Sequence, residues 1–311
     1  MKLQRGCIEC THKQGNKLIE LSGVDDNTWI KLQKEILLEL SNVPDTMTPP
    51  VLAKRLFDII KTKTGEGDLF LPIKERSNME MEKIYPFFKR RIFLSADKLK
   101  ASIIASALGN SIDFAIPGNT YTLEGIRDDF KRLLKRGNNS SAFEIDDYEL
   151  LKKDIYKARS ILFIADNAGE IVLDRLLIEW MIKNLKQTGI SFCVRGSSTV
   201  SDAIMNDAEE HILGKLPQMA LSRMRLIDTG NDIPGADPVS ASEDFKKAFN
   251  ESDIVISKGQ GNFEVLEGAT DSKGKTKNIY FLLKTKCSPI ARYISAKRGS
   301  LILYKNRRSG R

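Results

Sequence analysis

Ser160-Ile161-Leu162-Phe163-Ile164-Ala165 runs without a break into Asp166-Asn167-Ala168-Gly169-Glu170, and from there into a long amphipathic stretch that stops before Gly189. A short β-branched and aromatic run, a polar turn containing glycine, and then apolar residues at helical spacing read as a strand, a tight turn and a helix. The same cycle recurs downstream. Residues 190–194 form a second apolar run, followed by a helical stretch near 202–213, a strand over 225–228 and a helix over 242–249. Residues 253–257 and 279–283 are two further runs, each followed by a short helical stretch, and 301–304 is the last. Apolar runs that alternate with helices predict a mainly parallel, doubly wound sheet covered on both faces, an α/β fold with a three-layer α/β/α core.

Upstream the rhythm differs. Asn27 or Thr28 is expected to cap a helix running through Leu40, and Pro49-Pro50 to open another. Further helices are expected over 77–91, interrupted at Pro86, over 98–108 and over 122–135, with no strand evident. Residues 147–158 read as a polar-faced helix leading into the first strand. The expected division is therefore a helical N-terminal domain over 1–145 and the α/β/α core over 146–311, with the turn at 137–141 between them.

Composition limits the chemistry. The chain has 311 residues, 41% hydrophobic and 29% charged, which is the balance of a folded globular protein. Its net charge of +8 comes from 49 basic and 41 acidic residues, dispersed and without a basic stripe interleaved with aromatics. Nucleic-acid binding is not expected on that basis. Only His12 and His211 are present, which nearly excludes both a site built from two or three histidines and a histidine-based triad. The N-terminal residues carry no secretory apolar stretch and no run could span a bilayer, so no membrane association and a cytoplasmic location are expected.

In an open parallel sheet, ligands bind beyond the carboxyl ends of the strands. Those ends deliver Asp166, Asn167, Gly169 and Glu170; then Arg195 and Asp202; then Lys258, Gly259, Gly261 and Asn262; then Lys284 and Lys286. Right-handed crossovers bring all four to one rim. Asp166, Asn167 and Asp202 are oxygen donors of the kind a hard divalent cation takes. Gly169 and the helix start behind it offer backbone amides to an anion, and the lysines can neutralise phosphoryl charge. Each feature alone has a plain alternative: Asp166-Asn167 as a helix cap, Asp202 as a cap or solvated acid, Gly259-Gln260-Gly261 as a turn, Lys286 as a surface lysine.

Taken together, Asp166-Asn167-Ala168-Gly169-Glu170, Lys258-Gly259-Gln260-Gly261-Asn262-Phe263-Glu264 and Lys284-Thr285-Lys286-Cys287 resemble the damage-control phosphatase family. That family was long a domain of unknown function and includes proteins once called acidic-residue methyltransferases. Gly109-Asn110-Ser111-Ile112-Asp113-Phe114 resembles another of its motifs. Cys7-Ile8-Glu9-Cys10 is similar to the cysteine pair of its prokaryotic branch. The resemblance spans about residues 5 to 304. It implies a divalent-metal-dependent phosphatase (Mn, Mg, Co or Ni) that hydrolyses monoesters of small phosphorylated metabolites, such as sugar phosphates or damaged phosphometabolites. By motif, Asp166, Asn167 and Asp202 match the metal ligands, Glu170 and Asn262 match substrate-side positions, and Lys286 matches the phosphate-binding lysine. Ser201 stands where the family usually has Asn, so the contact from that amide is expected to be lost. Gly67-Asp68-Leu69-Phe70 departs from a usual Asp-Pro-Tyr.

The mechanism expected from these parts is in-line attack by a metal-activated water. Glu170 accepts or orients its proton and Lys286, supported by Lys258, stabilises the equatorial charge. Gly169 adds amide donors, and Asn110 and Asp113 close the site from the helical side. A phosphoaspartyl route is disfavoured because Ala168 occupies the second acidic place. Two rival readings are a carboxyl methyltransferase, for which the first strand end lacks a glycine-rich loop, and a non-enzymatic phospho-ligand binding protein. The expectation for the cysteines is reduced packing thiols, with a cluster of Cys7, Cys10 and Cys287 requiring the N-terminus to fold back onto the rim.

Overall fold

The computed structural model describes residues 1–65, 67–111, 122–135 and 141–307. The chain opens with helices α1 (Cys7–Ser22), α2 (Asp26–Ser41), α3 (Pro49–Thr64), α4 (Leu71–Phe93), α5 (Lys98–Gly109) and α6 (Leu123–Lys135). The cap of α2 is Asp25 rather than Asn27 or Thr28. Its backbone is extended and its carboxylate accepts the Thr28 amide at 3.0 Å. Pro86 does not interrupt α4. Burial of Ile84, Tyr85 and Phe88 on either side outweighs the hydrogen bond that proline cannot donate. Helix α1, absent from the expectation, buries a face of Cys7, Thr11, Gly15, Leu18 and Ile19, of which only Cys7, Leu18 and Ile19 are hydrophobic side chains.

From residue 145 onward the elements alternate: β1 (Ile145–Asp146), α7 (Tyr148–Ile155), β2 (Ser160–Ile164), α8 (Glu170–Asn184), β3 (Gly189–Val194), α9 (Met205–His211), α10 (Gln218–Leu221), β4 (Met224–Asp228), α11 (Glu243–Glu251), β5 (Ile254–Lys258), α12 (Gly259–Leu266), β6 (Ile279–Lys284), α13 (Ser288–Tyr293) and β7 (Leu301–Lys305). Gly259-Gln260-Gly261 therefore begins a helix and is not a plain turn. The sheet order is β1-β7-β6-β5-β2-β3-β4, parallel throughout except where β7 runs antiparallel to β6. The chain builds outward from β2 through β3 to β4, then returns to place β5 on the other flank of β2. The strand order thus reverses between β2 and β5, and the helices following these strands diverge to leave a crevice there.

The period of two in each strand fills two cores. Ile161, Phe163, Phe192, Ile254 and Ile256 face one side, where Phe163 and Phe192 stack at 5.3 Å. Leu162, Ile164, Cys193, Val255 and Phe281 face the other. The first core is shared with α4, α5, α6 and α8, so packing is continuous across residue 145: Ile103, Ile104 and Ala107 of α5 lie in one cluster with Ile171 and Leu173 of α8. Helices α1 to α3 have a separate core built on Leu18, Ile36, Leu56 and Ile60. No helix among the described residues is long and apolar enough to cross a membrane.

Candidate active site

Asp166 lies just past the end of β2, facing the crevice, with 8% of its surface exposed. Its Oδ2 accepts hydrogen bonds from Asn110 Nδ2 at 2.9 Å and Asn167 Nδ2 at 2.7 Å. Asp202 arrives from the loop after β3. A short antiparallel bridge joins it to Asn167, and the Ala203 amide donates to the Asp166 carbonyl at 2.8 Å. The three expected ligands are therefore stitched together by backbone pairing. Burial, reinforced by the charges of Glu170 and Asp202, pushes the Asp166 carboxyl well above the usual carboxylate range. Ser201 does make a contact: its hydroxyl donates to Asn167 Oδ1 at 2.8 Å and orients that amide.

Beneath this layer three of the expected site residues are engaged within the protein. Lys258 is fully buried and points away from the crevice, at 2.7 Å from Glu170 Oε1, 2.6 Å from Asp174 Oδ1 and 2.8 Å from the Ser106 carbonyl. It donates hydrogen bonds to Asp174 and the Ser106 carbonyl and forms a buried ion pair with Glu170, so its charge is set against two buried carboxylates. Asn262 is also fully buried and its amide is spent within the protein. It donates to the carbonyls of Ala165 at 3.0 Å and Lys258 at 2.7 Å, and accepts from Arg195 Nη2 at 3.0 Å and the Ala236 amide at 2.8 Å. From the first turn of α12 it ties the ends of β2 and β5 together. Glu170 has no exposed surface, and its second oxygen accepts from Asn110 at 2.8 Å and Asn167 at 3.1 Å. Burial alone would raise its pKa, but the charges of Lys258 and Lys286 and the Asn110 bond hold it below the usual range. Its Oε2 holds Asn110 and Asn167, and its Oε1 faces Lys258.

The start of α8 also differs from expectation. The Gly169 amide donates to Asn78 Oδ1 at 2.5 Å, and those of Ala168, Ile171 and Val172 bond to the carbonyls of Ser201, Asn167 and Gly169. An anion finds these donors already taken. Gly169 is glycine for another reason: at φ +78 a Cβ would stand 2.9 Å from the Ser77 side chain. Asn78 in turn donates to Asp207, and Asp207 lies 3.8 Å from the buried Lys74, which pairs with Asp68 at 2.7 Å. Asp68, in the stretch that departs from the family pattern, thus ends a polar chain reaching back to Gly169.

Gly259 matters more directly. Its φ is +77, and a Cβ there would lie 1.9 Å from Asp166 Oδ2. The first turn of α12 passes so close to the carboxylate that only glycine leaves room, and it brings the positive end of that helix beside the charge. Gly259→Ala is expected to displace Asp166 and reduce phosphate release by about 100-fold or more, since an ångström of misplacement at a reacting centre costs that much. Steady-state kinetics on a variant with wild-type far-UV circular dichroism checks this.

Asn110 caps α5 with no exposed surface, its Oδ1 accepting the Lys284 amide at 3.1 Å while its amide holds Asp166 and Glu170. It is a strut between three elements. Lys286 follows β6, half-buried, its backbone amide bonded to Gln260 Oε1. Its charge acts on both Asp166 and Glu170. Asp113 lies outside the described residues. Arg195, directly after β3, received no role from sequence, yet it is 1% exposed and donates through Nε to Asp202 Oδ2 at 2.6 Å. Asp174 was also missed. Burial raises its carboxyl to about 7 against the opposing charge of Lys258, and Ser106 Oγ donates to it at 2.5 Å.

The cluster has the oxygen-rich composition a hard divalent ion takes. Asp166 and Asp202 supply carboxylates, Asp166 Oδ1 having Arg195 Nη2 only at 3.9 Å, while Asn167 turns its Nδ2 to Asp166 and its Oδ1 to Ser201. The crowding of Asp166, Glu170 and Asp202 is a repulsion that a cation would relieve. No set of three His, Cys, Asp or Glu residues among the described residues forms a metal cluster. Cys7, Cys10 and Cys287 are free thiols. They lie within electrostatic reach of one another and of Glu264, whose carbonyl accepts the Met1 amino group, so the N-terminus does return to the rim.

Residues 3–302 match the model of the damage-control phosphatase ARMT1-like domain. The chain is similar to a damage-control phosphatase of Pyrococcus horikoshii, 28% identical over 310 residues and 99% of each chain. It is also similar to a damage-control phosphatase of Archaeoglobus fulgidus, 29% identical over 249 residues, covering 80% of this chain and 78% of that one. The crystal structure of a DUF89 family protein from Pyrococcus horikoshii superposes with a TM-score of 0.83 at 27% identity, covering 99% of this chain and 100% of the other. These similarities support a hydrolase with a phosphatase role in metabolite repair. With the reversal of strand order, the acidic cage set in it and a matching model over nearly its whole length, the chain belongs to the ARMT1-like damage-control phosphatase family.

Proposed function

We propose that the protein is a divalent-metal-dependent phosphomonoesterase acting on small phosphorylated metabolites. The observation that carries this reading is the joining of Asp166, Asn167 and Asp202 at the ends of adjacent strands, in the crevice where strand order reverses. A cation held by these three residues would polarise the ester and supply a water acidic enough to serve as nucleophile at neutral pH. The chain's own part is largely preorganisation. Asn110 and Glu170 hold Asp166 and Asn167, and Gly259 lets the helix end approach. Lys286 brings a positive charge to the mouth, where it can hold a phosphate dianion and the charge that develops on it.

A phosphate-release screen over sugar and cofactor-fragment phosphates, run on metal-stripped protein with Mg²⁺, Mn²⁺, Co²⁺ or Ni²⁺ restored singly, tests this. Release is expected only after a metal is restored. Equal release in excess chelator, or none with any ion, would overturn the proposal.

A further inference from the structure

Resting on the cation cage proposed above, we infer that Arg195 is a positioning residue for it: its guanidinium fixes the Asp202 carboxylate in the orientation that lets it share an ion with Asp166. The geometry is locked from several sides. Arg195 Nε donates to Asp202 Oδ2 at 2.6 Å. Its Nη2 donates to Asn262 Oδ1 at 3.0 Å and stands 3.9 Å from Asp166 Oδ1. Asn262 is itself pinned by the Ala236 amide and by the carbonyls of Ala165 and Lys258. The Arg195 backbone bonds to Ala203, one residue past Asp202. So the first turn of α12, through Asn262, sets where the guanidinium lies, and the guanidinium sets where Asp202 lies.

The cost of this arrangement points the same way. Arg195 is 1% exposed, yet its Nη1 has no hydrogen-bond partner among the described residues. A cation buried and incompletely satisfied is unfavourable in a fold that needed only packing there. A hydrophobic residue would fill the space beneath β3 without that penalty, but it could not hold a carboxylate.

Charge and positioning make opposite predictions for the ion. If Arg195 acted only as a counter-charge, removing it would leave the cage more negative and divalent cations would bind more tightly. If it positions Asp202, removing it loosens a ligand and binding weakens, by the 10–100-fold typical when a partner that orients a metal ligand is lost. Arg195→Lys separates the two, because it keeps the charge and loses the planar fork.

The test is Mn²⁺ binding by isothermal titration calorimetry to the metal-stripped full chain, for wild type, Arg195→Met and Arg195→Lys, with circular dichroism verifying the fold of each. The expected order of Kd is wild type tightest, Arg195→Lys weaker, and Arg195→Met weakest, at least tenfold above wild type. Mn²⁺ binding to Arg195→Met as tight as or tighter than to wild type overturns the assignment. Should Arg195→Met not fold, a wild-type Kd in Arg195→Lys does the same. No Mn²⁺ binding to the wild type removes the cage and the role of Arg195 together, whereas binding that ignores both substitutions removes Arg195 alone.

Discussion

Asp166→Ala is expected to lower phosphate release by ~10³-fold or more while the metal-free protein melts close to wild type. The two halves of this result have separate causes. The carboxylate is the proposed ligand through which cation and ester meet, so turnover depends on it. In the folded protein without metal, however, the same carboxylate is disfavoured by burial and by Glu170 and Asp202. Its removal relieves repulsion, which offsets the bonds lost from Asn110 and Asn167, and Asn110 keeps Glu170 as a partner. A ligand that binds only the native state raises its melting temperature. The upward shift that Mn²⁺ gives wild type should therefore vanish in the variant. Turnover in Asp166→Ala within tenfold of wild type would refute the role given to this residue.

Lys258→Met is expected to act on the fold first. The lysine is the only buried cation within ion-pair distance of both Glu170 and Asp174 among the described residues, and all three side chains are fully buried. Breaking a buried pair from one side leaves uncompensated charge, at a cost of about 3–5 kcal/mol. For a chain of this size that corresponds to a fall in melting temperature on the order of 10 °C. A phosphate-binding lysine would behave differently: KM would rise and the melting temperature would hold. Thermal unfolding followed by circular dichroism, beside KM measured below the transition, distinguishes the two roles.

The layered fold was legible because its signals are local. Each β-branched run stops at a polar turn, and Ile161 and Phe163 alternate with Leu162 and Ile164 as a sheet buried on both faces requires. The grouping of Asp166, Asn167 and Asp202 was legible because these residues follow those runs directly. What the rim position concealed was direction. Lys258 was expected to face the ligand because it ends β5, yet counting by two from Ile254 and Ile256 puts it on the face covered by α5 and α8. Asp174, on α8, meets it there. Arg195 stands in the same place after β3 and was open to the same count, but its partner Asn262 is distant in sequence and pattern does not pair such residues. Asn78 was beyond reach for the same reason: its bond to Gly169 joins elements that only tertiary packing brings together.

The layer beneath the crevice has a bearing on how such a protein diversifies. Lys258, Asn262 and Glu170 each make hydrogen bonds or ion pairs that join two or more elements. A substitution among them disturbs several connections at once, so selection has little freedom there to adjust what the molecule accepts. New preferences have to arise at the mouth, in side chains outside this shared layer.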